Sequence, residues 1–343
     1  MIQHQEARRF GVVRKFSVAA LAATAFLSVG CASEGGVFQL AARDQASQPI
    51  EEGQHYVMAT HSFNVFIGPS RRRGQEPGPG PLAALAEEAG KAGHEALAVQ
   101  MIGGSTPMQH WAQGGDDETQ NIAKAALRAG GVDVFTMSPN AIMPEDGIDL
   151  FGDFLIETNP EARLMVQNSW NAWDGNGATP AVGGSGGGDF TNADRDDRTI
   201  AEIDAWIESL HSDGGYLDRL HGQLEEINDR AGREMAYVVP SADAVYALRK
   251  ETIRGNVPGI ERQSQLFADP IGHPREPVAN LVTYVWFAAM YRESPVGLTA
   301  LVNPDDPTSA ARERFLQQLA WNAVINEPMS GVVGEPVMLA AVE

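Results

Sequence analysis

The residues of this chain able to do chemistry stand in a few short strings. Four follow apolar runs: Thr60-His61-Ser62-Phe63-Asn64, Ile102-Gly103-Gly104-Ser105-Thr106, Met137-Ser138-Pro139-Asn140 and Asn168-Ser169-Trp170. A fifth, Phe267-Ala268-Asp269-Pro270-Ile271-Gly272-His273-Pro274, precedes a helical pattern. Together they hold a serine, glycine amides, an asparagine and an Asp/His pair. Those are the parts of acyl transfer: a nucleophile, oxyanion donors, and a base with the carboxylate that orients it. A serine is unreactive alone and needs a neighbouring base. His61 is poorly placed to be that base for Ser62, because successive side chains on an extended backbone point to opposite faces.

The elements that must position these strings can be read from hydrophobic patterning. Buried-strand patterns cover Tyr56 to Thr60, Ala96 to Ile102, Val132 to Thr136, Ala162 to Gln167 and Met235 to Val239. Helical patterns cover Leu82 to Ala92, Glu118 to Ala129, Glu145 to Glu157, Ala242 to Ile253, Pro277 to Tyr291 and Ser309 to Asn326. A longer one, Arg198 to Arg230, is broken at Asp213-Gly214-Gly215. Continuous apolar strands separated by helices imply parallel βαβ units covered on both faces. The expected fold is therefore a three-layer α/β/α domain around a mostly parallel five-stranded sheet. Ligands of such sheets bind beyond the carboxyl ends of the strands, which is where the strings lie. Asn168 to Asp197, with the run Gly183-Gly184-Ser185-Gly186-Gly187-Gly188, is long for a loop. It reads as a flexible surface insertion, with a lid as the lesser alternative.

The order and setting of these strings resemble the SGNH (GDSL-like) hydrolase superfamily from about His55 to Leu298. In that family a Ser follows the first strand, a Gly amide the second and an Asn the third, and an Asp-x-x-His block lies near the C-terminus. The strings His61-Ser62-Phe63, Ile102 to Trp111 and Gly272-His273-Pro274 look more narrowly like an uncharacterised exported bacterial branch. The resemblance implies a flavodoxin-like SGNH hydrolase fold and a serine esterase needing no cofactor. It also implies roles. Ser62 would be the nucleophile, His273 the base and Asp269 the residue that orients it. Gly104, or less readily Gly103, would supply an oxyanion amide and Asn140 a side-chain donor. The chain departs from the family in three places. Thr60-His61-Ser62 stands for Gly-Asp-Ser, three residues separate Asp269 from His273 instead of two, and the Gly-x-Asn-Asp of the third block is missing.

Trp111, Trp170 and Trp173 follow strand ends, where they could stack on sugar rings or simply pack in the core. His110 could line the same pocket. These residues, with the habits of the family, point to a small-molecule or carbohydrate ester as substrate. The run Asp194-Arg195-Asp196-Asp197-Arg198 reads as a solvated helix start with acids near the positive end of the dipole. Asp174-Gly175-Asn176-Gly177 lacks the later acidic ligands and closing Glu of a calcium loop.

The first residues read as an address. Arg8, Arg9, Arg14 and Lys15 precede the apolar stretch from Ser17 to Val29, which has the length of a signal-peptide core. It ends at Gly30-Cys31, a lipobox-like pair in which Cys31 would be lipidated. Plain secretion and a retained anchor are the alternatives. The expected organisation is a signal peptide over 1–31, a tether over 32–54, an α/β/α domain over 55–327 containing the 168–197 insertion, and a tail over 328–343. The location is then outside the cytoplasm: an envelope lipoprotein, or a periplasmic or secreted protein, touching membrane only through a lipid anchor.

The 343 residues include 25 Lys plus Arg against 45 Asp plus Glu, a net charge of −20. Removing residues 1–30 takes away four positive charges and one negative, leaving −23. Such a field repels phosphate backbones and argues against nucleic-acid binding. One Cys excludes a disulfide framework, a cysteine-rich zinc site and an iron–sulfur cluster. No phosphate-cradling Gly-Lys-Ser/Thr, dinucleotide fingerprint or His-Glu-x-x-His metal motif is present, so neither metal nor nucleotide is expected. Two functions remain: an exported esterase, one of whose substrate classes would be O-acetylated carbohydrate, or a non-catalytic envelope lipoprotein that binds glycan or protein on the same rim.

Overall fold

A computed structural model describes residues 48–69, 78–115, 117–139, 143–176 and 189–339, all within one compact unit, Ala42–Glu343. The expected signal peptide with Cys31, Asn140 and the Gly183–Gly188 run lie outside the described residues.

Five strands, β1 (His55–Thr60), β2 (Glu95–Met101), β3 (Val134–Met137), β4 (Arg163–Gln167) and β5 (Ala236–Val239), form one all-parallel sheet in the order β2-β1-β3-β4-β5. That is the flavodoxin-like order, whose switch point lies between β1 and β3. Register aligns the carboxyl ends. Thr60 pairs with Met101, Ala59 with Met137, Met137 with Val166, and Gln167 with Val239. The strings at these ends therefore share one rim, and Ser62 follows the strand that borders the switch point.

The nine described α-helices are α1 (Pro81–Glu88), α2 (Pro107–Trp111), α3 (Ile122–Ala129), α4 (Asp146–Thr158), α5 (Ile200–His211), α6 (Tyr216–Ala231), α7 (Ser241–Ile253), α8 (Glu276–Tyr291) and α9 (Ser309–Asn326). Alternation along the strands divides the core in two. Tyr56, Met58, Val134 and Met165 pack with α1, α7, α8 and α9. Val57, Ala59, Phe135 and Val166 pack with α3, α4 and α6. Helix α8 is buried all round except at Glu276 and Ala279, as expected of a helix enclosed between the sheet and another helix.

All five strands and the break between α5 and α6 lie where the sequence places them. Three details differ for local reasons. Helix α3 starts at Ile122 because the Asn121 side chain caps it, accepting from the Lys124 amide at 3.0 Å. Helix α1 stops at Glu88, ahead of the left-handed Gly90. Helix α2, too short for a periodic signal, is built from Pro107 in its first turn and a capping box between Thr106 and Gln109.

Parts of the expected tether and tail are held against the domain. Ile50 N donates to Tyr291 O at 2.8 Å and Gly53 N to Ala92 O at 3.0 Å. Val238 N donates to Met329 O at 2.9 Å, and Trp321 Nε1 to Glu335 O at 3.0 Å. Among the described residues no helix is long and apolar enough to cross a membrane.

Candidate active site

Beyond Thr60 the chain reverses sharply, because the amides of Asn64 and Val65 both bond the His61 carbonyl at 3.1 and 2.9 Å. The turn separates two adjacent side chains. His61 points inward and is buried: its Nδ1 accepts from the Phe63 amide at 3.2 Å, and its Nε2 lies 3.1 Å from Ser138 Oγ. Acceptance at Nδ1 assigns the proton to Nε2, which donates to Ser138. Burial pushes the His61 pKa down to about 4, so the ring is neutral across ordinary pH. Ser62 is half-buried, and its Oγ lies 2.9 Å from His273 Nε2.

The other side of His273 meets Asp269, with Nδ1 2.6 Å from Oδ2. The longer spacing between these residues is absorbed by a closed loop. Ala268 N donates to His273 O at 2.7 Å, and Phe267 bridges Pro274. Asp269 Oδ1 accepts from the amides of Gly272 and His273 at 3.0 and 3.2 Å, leaving Oδ2 for the imidazole. Gly272 has φ +103, a region side-chain-bearing residues rarely adopt. Partial burial raises the Asp269 pKa, but the His273 ring and the two loop amides outweigh it and hold the carboxyl below its usual range. Ser62, His273 and Asp269 thus form one continuous hydrogen-bonded line, although 211 residues separate the serine from the histidine.

No protein-family profile matches the chain, and no curated protein is significantly similar to it. Two solved structures are similar at low identity. A DUF4886 family protein from Bacteroides uniformis aligns with a TM-score of 0.45 and 13% identity, over 80% of this chain and 96% of its own. A protein described as a candidate SGNH hydrolase, from Slackia heliotrinireducens, aligns with a TM-score of 0.37 and 13% identity, over 70% of this chain and 100% of its own.

The second rim string continues the β1–β2 ladder, with Ile102 N bonding Thr60 O at 3.0 Å. This brings Gly103 and Gly104 alongside the Ser62 turn. Both are exposed, and Gly104 has φ +61. Among the described residues the amides of Ser62 and Gly103 donate to no group of the chain. Asn140, the expected side-chain donor, lies outside the described residues.

Two of the residues expected to line the substrate pocket, His110 and Trp170, are buried instead, and Trp111 is half-buried. His110 is 2% exposed and both its ring nitrogens are engaged. Gln100 Nε2 lies 3.2 Å from Nδ1 and Ser105 Oγ 2.7 Å from Nε2, while Ser105 Oγ also donates to Ile102 O. His110 therefore braces the Gly103–Gly104 turn from beneath. Trp170 is 4% exposed and donates from Nε1 to Gly272 O at 3.0 Å. Trp111 packs edge-on against Phe151 and Phe154, with the Lys124 ammonium 3.6 Å over its ring. Trp170 therefore offers no open face to a sugar, and one face of the half-buried Trp111 is taken by Lys124.

Sequence reasoning missed two groups that shape the site. Phe63 stacks on Trp170 and meets His273 edge-on at 5.7 Å; its position directly after Ser62 was the available signal. Arg195 is fully buried rather than solvated, with its guanidinium 4.6 Å over the Phe267 ring. Among the described residues no group of three or more His, Cys, Asp or Glu side chains could hold a metal ion.

Proposed function

We propose that the protein is an exported serine hydrolase that cleaves esters through an acyl-enzyme. The observation that carries this reading is the line Asp269–His273–Ser62, with separations of 2.6 and 2.9 Å at the carboxyl rim of a parallel sheet. Both are within the reach required for proton transfer. With Nδ1 donating to the carboxylate, Nε2 is left as the acceptor for the Ser62 hydroxyl.

The chemistry follows from that polarity. Ser62 Oγ attacks the ester carbonyl as its proton passes to His273 Nε2. Asp269 steadies the imidazolium and keeps the ring in the productive tautomer. The oxyanion is taken up by backbone amides, those of Ser62 and of Gly103 or Gly104, with the Asn140 side chain as a further donor. Collapse expels the alcohol, which receives the proton held on His273. Water then attacks the acyl-enzyme with His273 as base, releasing the acid and restoring Ser62. No cofactor enters these steps. His61 takes no part in them, since its ring is buried, neutral and committed to Phe63 and Ser138.

The basic residues and apolar stretch of the leading segment support a location outside the cytoplasm, with Cys31 as a lipid anchor or secretion without one. The substrate class is an ester of a small molecule or carbohydrate. The carbohydrate part is carried by the family resemblance, since Trp170 is packed into the protein and Lys124 covers one face of Trp111. Hydrolysis of p-nitrophenyl acetate tests the reading. Ser62→Ala should lower kcat by at least about 10³-fold. Equal turnover by the two proteins would contradict it.

A further inference from the structure

The loop carrying Asp269 and His273 is one residue longer than the pattern it resembles, and it has little regular structure of its own. Its carbonyl groups are nonetheless met one after another by donors from Trp170, Trp173 and Arg195. Arg195 Nη1 donates to Asp269 O at 2.9 Å, and Nη2 to Pro270 O at 2.8 Å. The Trp173 amide donates to Ile271 O at 2.9 Å, and Trp170 Nε1 to Gly272 O at 3.0 Å. Four consecutive carbonyls are thereby fixed from outside the loop.

The donors are themselves rigidly held. Arg195 is completely buried, and its Nε donates to Asp174 Oδ1 at 3.2 Å. Asp174 is buried too, and accepts from Arg249 Nη1 and Nη2 at 3.0 and 2.8 Å. Asn192 Oδ1 takes a further bond from Arg195 Nη1 at 2.6 Å. Trp173 and Asp174 both have left-handed backbones, with φ 49 and 51. Such a conformation at residues other than glycine persists where the surroundings over-determine it. Here it turns the Asp174 carboxylate into the arginines while the Trp173 amide reaches Ile271.

The geometry points to residues 170–174 together with Asn192 and Arg195 as the positioning element of the Asp269–His273 pair, with Arg195 as its central positioning residue. A planar fork reaching two successive carbonyls fixes the direction of the peptide between them, which a single ammonium cannot do. That peptide sets where the Asp269 side chain leaves the loop, and so the 2.6 Å contact with His273 Nδ1. Arg195 acts through Asp269 and touches no reacting atom. The inference rests on the reading of Ser62, His273 and Asp269 as the catalytic groups.

The test is a double-mutant cycle read together with proton NMR of the whole folded protein. Arg195→Lys should lower kcat for p-nitrophenyl acetate about 10- to 100-fold with KM within about twofold. In an Asp269→Asn background the same change should alter kcat by less than about twofold, because the contact it serves is already lost. The low-field resonance of the His273 Nδ1 proton, assigned by its absence in His273→Gln, should be present in the parent and lost in Arg195→Lys. If Arg195→Lys does not fold, Trp170→Phe, which removes one donor of the set and keeps a ring, carries the same cycle. Effects that multiply fully across the cycle, or a resonance retained in the variant, would overturn the inference. The resonance is independent of turnover, so a parent protein that shows it without hydrolysing esters would refute the proposed function and leave the positioning role to be decided by the variants.

Discussion

The indole of Trp170 lies parallel to the ring of Phe63, with 4.6 Å between centroids and 5° between planes. Phe63 follows the proposed nucleophile, and Trp170 bonds the residue before the proposed base, so this stack ties the two halves of the site together. Trp170→Ala, which opens a cavity at a 4% exposed position, should lower unfolding free energy by about 3–5 kcal/mol. Trp170→Phe keeps a stacking ring but leaves Gly272 O without its donor, and should cost about 1 kcal/mol. Urea unfolding of both variants measures the difference. Equal losses would mean that the stack contributes nothing beyond the hydrogen bond.

A methyl group at Gly272 meets two obstacles. The backbone has φ +103, and an added Cβ would lie 3.1 Å from Arg195 Nη2 and 3.5 Å from Trp170 Nε1. Gly272→Ala should cost about 1–3 kcal/mol of stability and depress turnover by displacing His273. Gly103→Ala is the control. Its φ is ordinary and nothing lies within 4 Å of the new Cβ, so stability should stay within about 0.5 kcal/mol. Thermal unfolding of both proteins checks the contrast in stability, and initial rates of Gly272→Ala check the loss of turnover.

Stability should fall as the solution is acidified from pH 6.5 toward pH 5. Burial lowers the pKa of His61, His94 and His110 from 6.5 to about 4 each, with smaller contributions from charged neighbours. Because the folded values lie below the unfolded ones, these rings contribute stability that is complete above pH 6.5 and lost as pH falls toward 4. Glu313 runs the other way. Burial raises it from 4.5 to about 7, so between those values the folded state binds the extra proton. Three histidines outweigh one carboxyl, and the unfolded chain holds about one more proton than the folded one at pH 6.5 and about two more at pH 5. The expected slope steepens from about 1 kcal/mol per pH unit near pH 6.5 to about 2–3 near pH 5. Urea midpoints at pH 6.5, 5.75 and 5 measure it, and stability that is flat or rises on acidification would contradict the assignment.

Much of the fold was legible because buried parallel strands write themselves as uninterrupted apolar runs between helices. Ser62, Asp269 and His273 were legible as candidates because few residue types do acyl chemistry and these stand where a parallel sheet presents ligands. The surroundings were not legible. A tryptophan after a strand looks the same whether its ring meets a sugar or its indole bonds a carbonyl, as at Trp170. His110 likewise gives no sign of being enclosed by Gln100 and Ser105. Arg195 stands among Asp194, Asp196 and Asp197 and so resembles a solvated run. It is buried by nearby Phe190 and by Phe267 and Asp174, which arrive from other parts of the chain. Such contacts are properties of packing, and no local pattern encodes them.

The central claim is that His273 activates Ser62. Labelling of the purified protein with a fluorophosphonate, with the modified peptide located by mass spectrometry, tests it most directly. The account predicts a single labelled site at Ser62, lost in Ser62→Ala and reduced to background in His273→Ala while both variants remain folded. Folded parent protein that stays unlabelled at Ser62, or labelling that persists undiminished in His273→Ala, would contradict it.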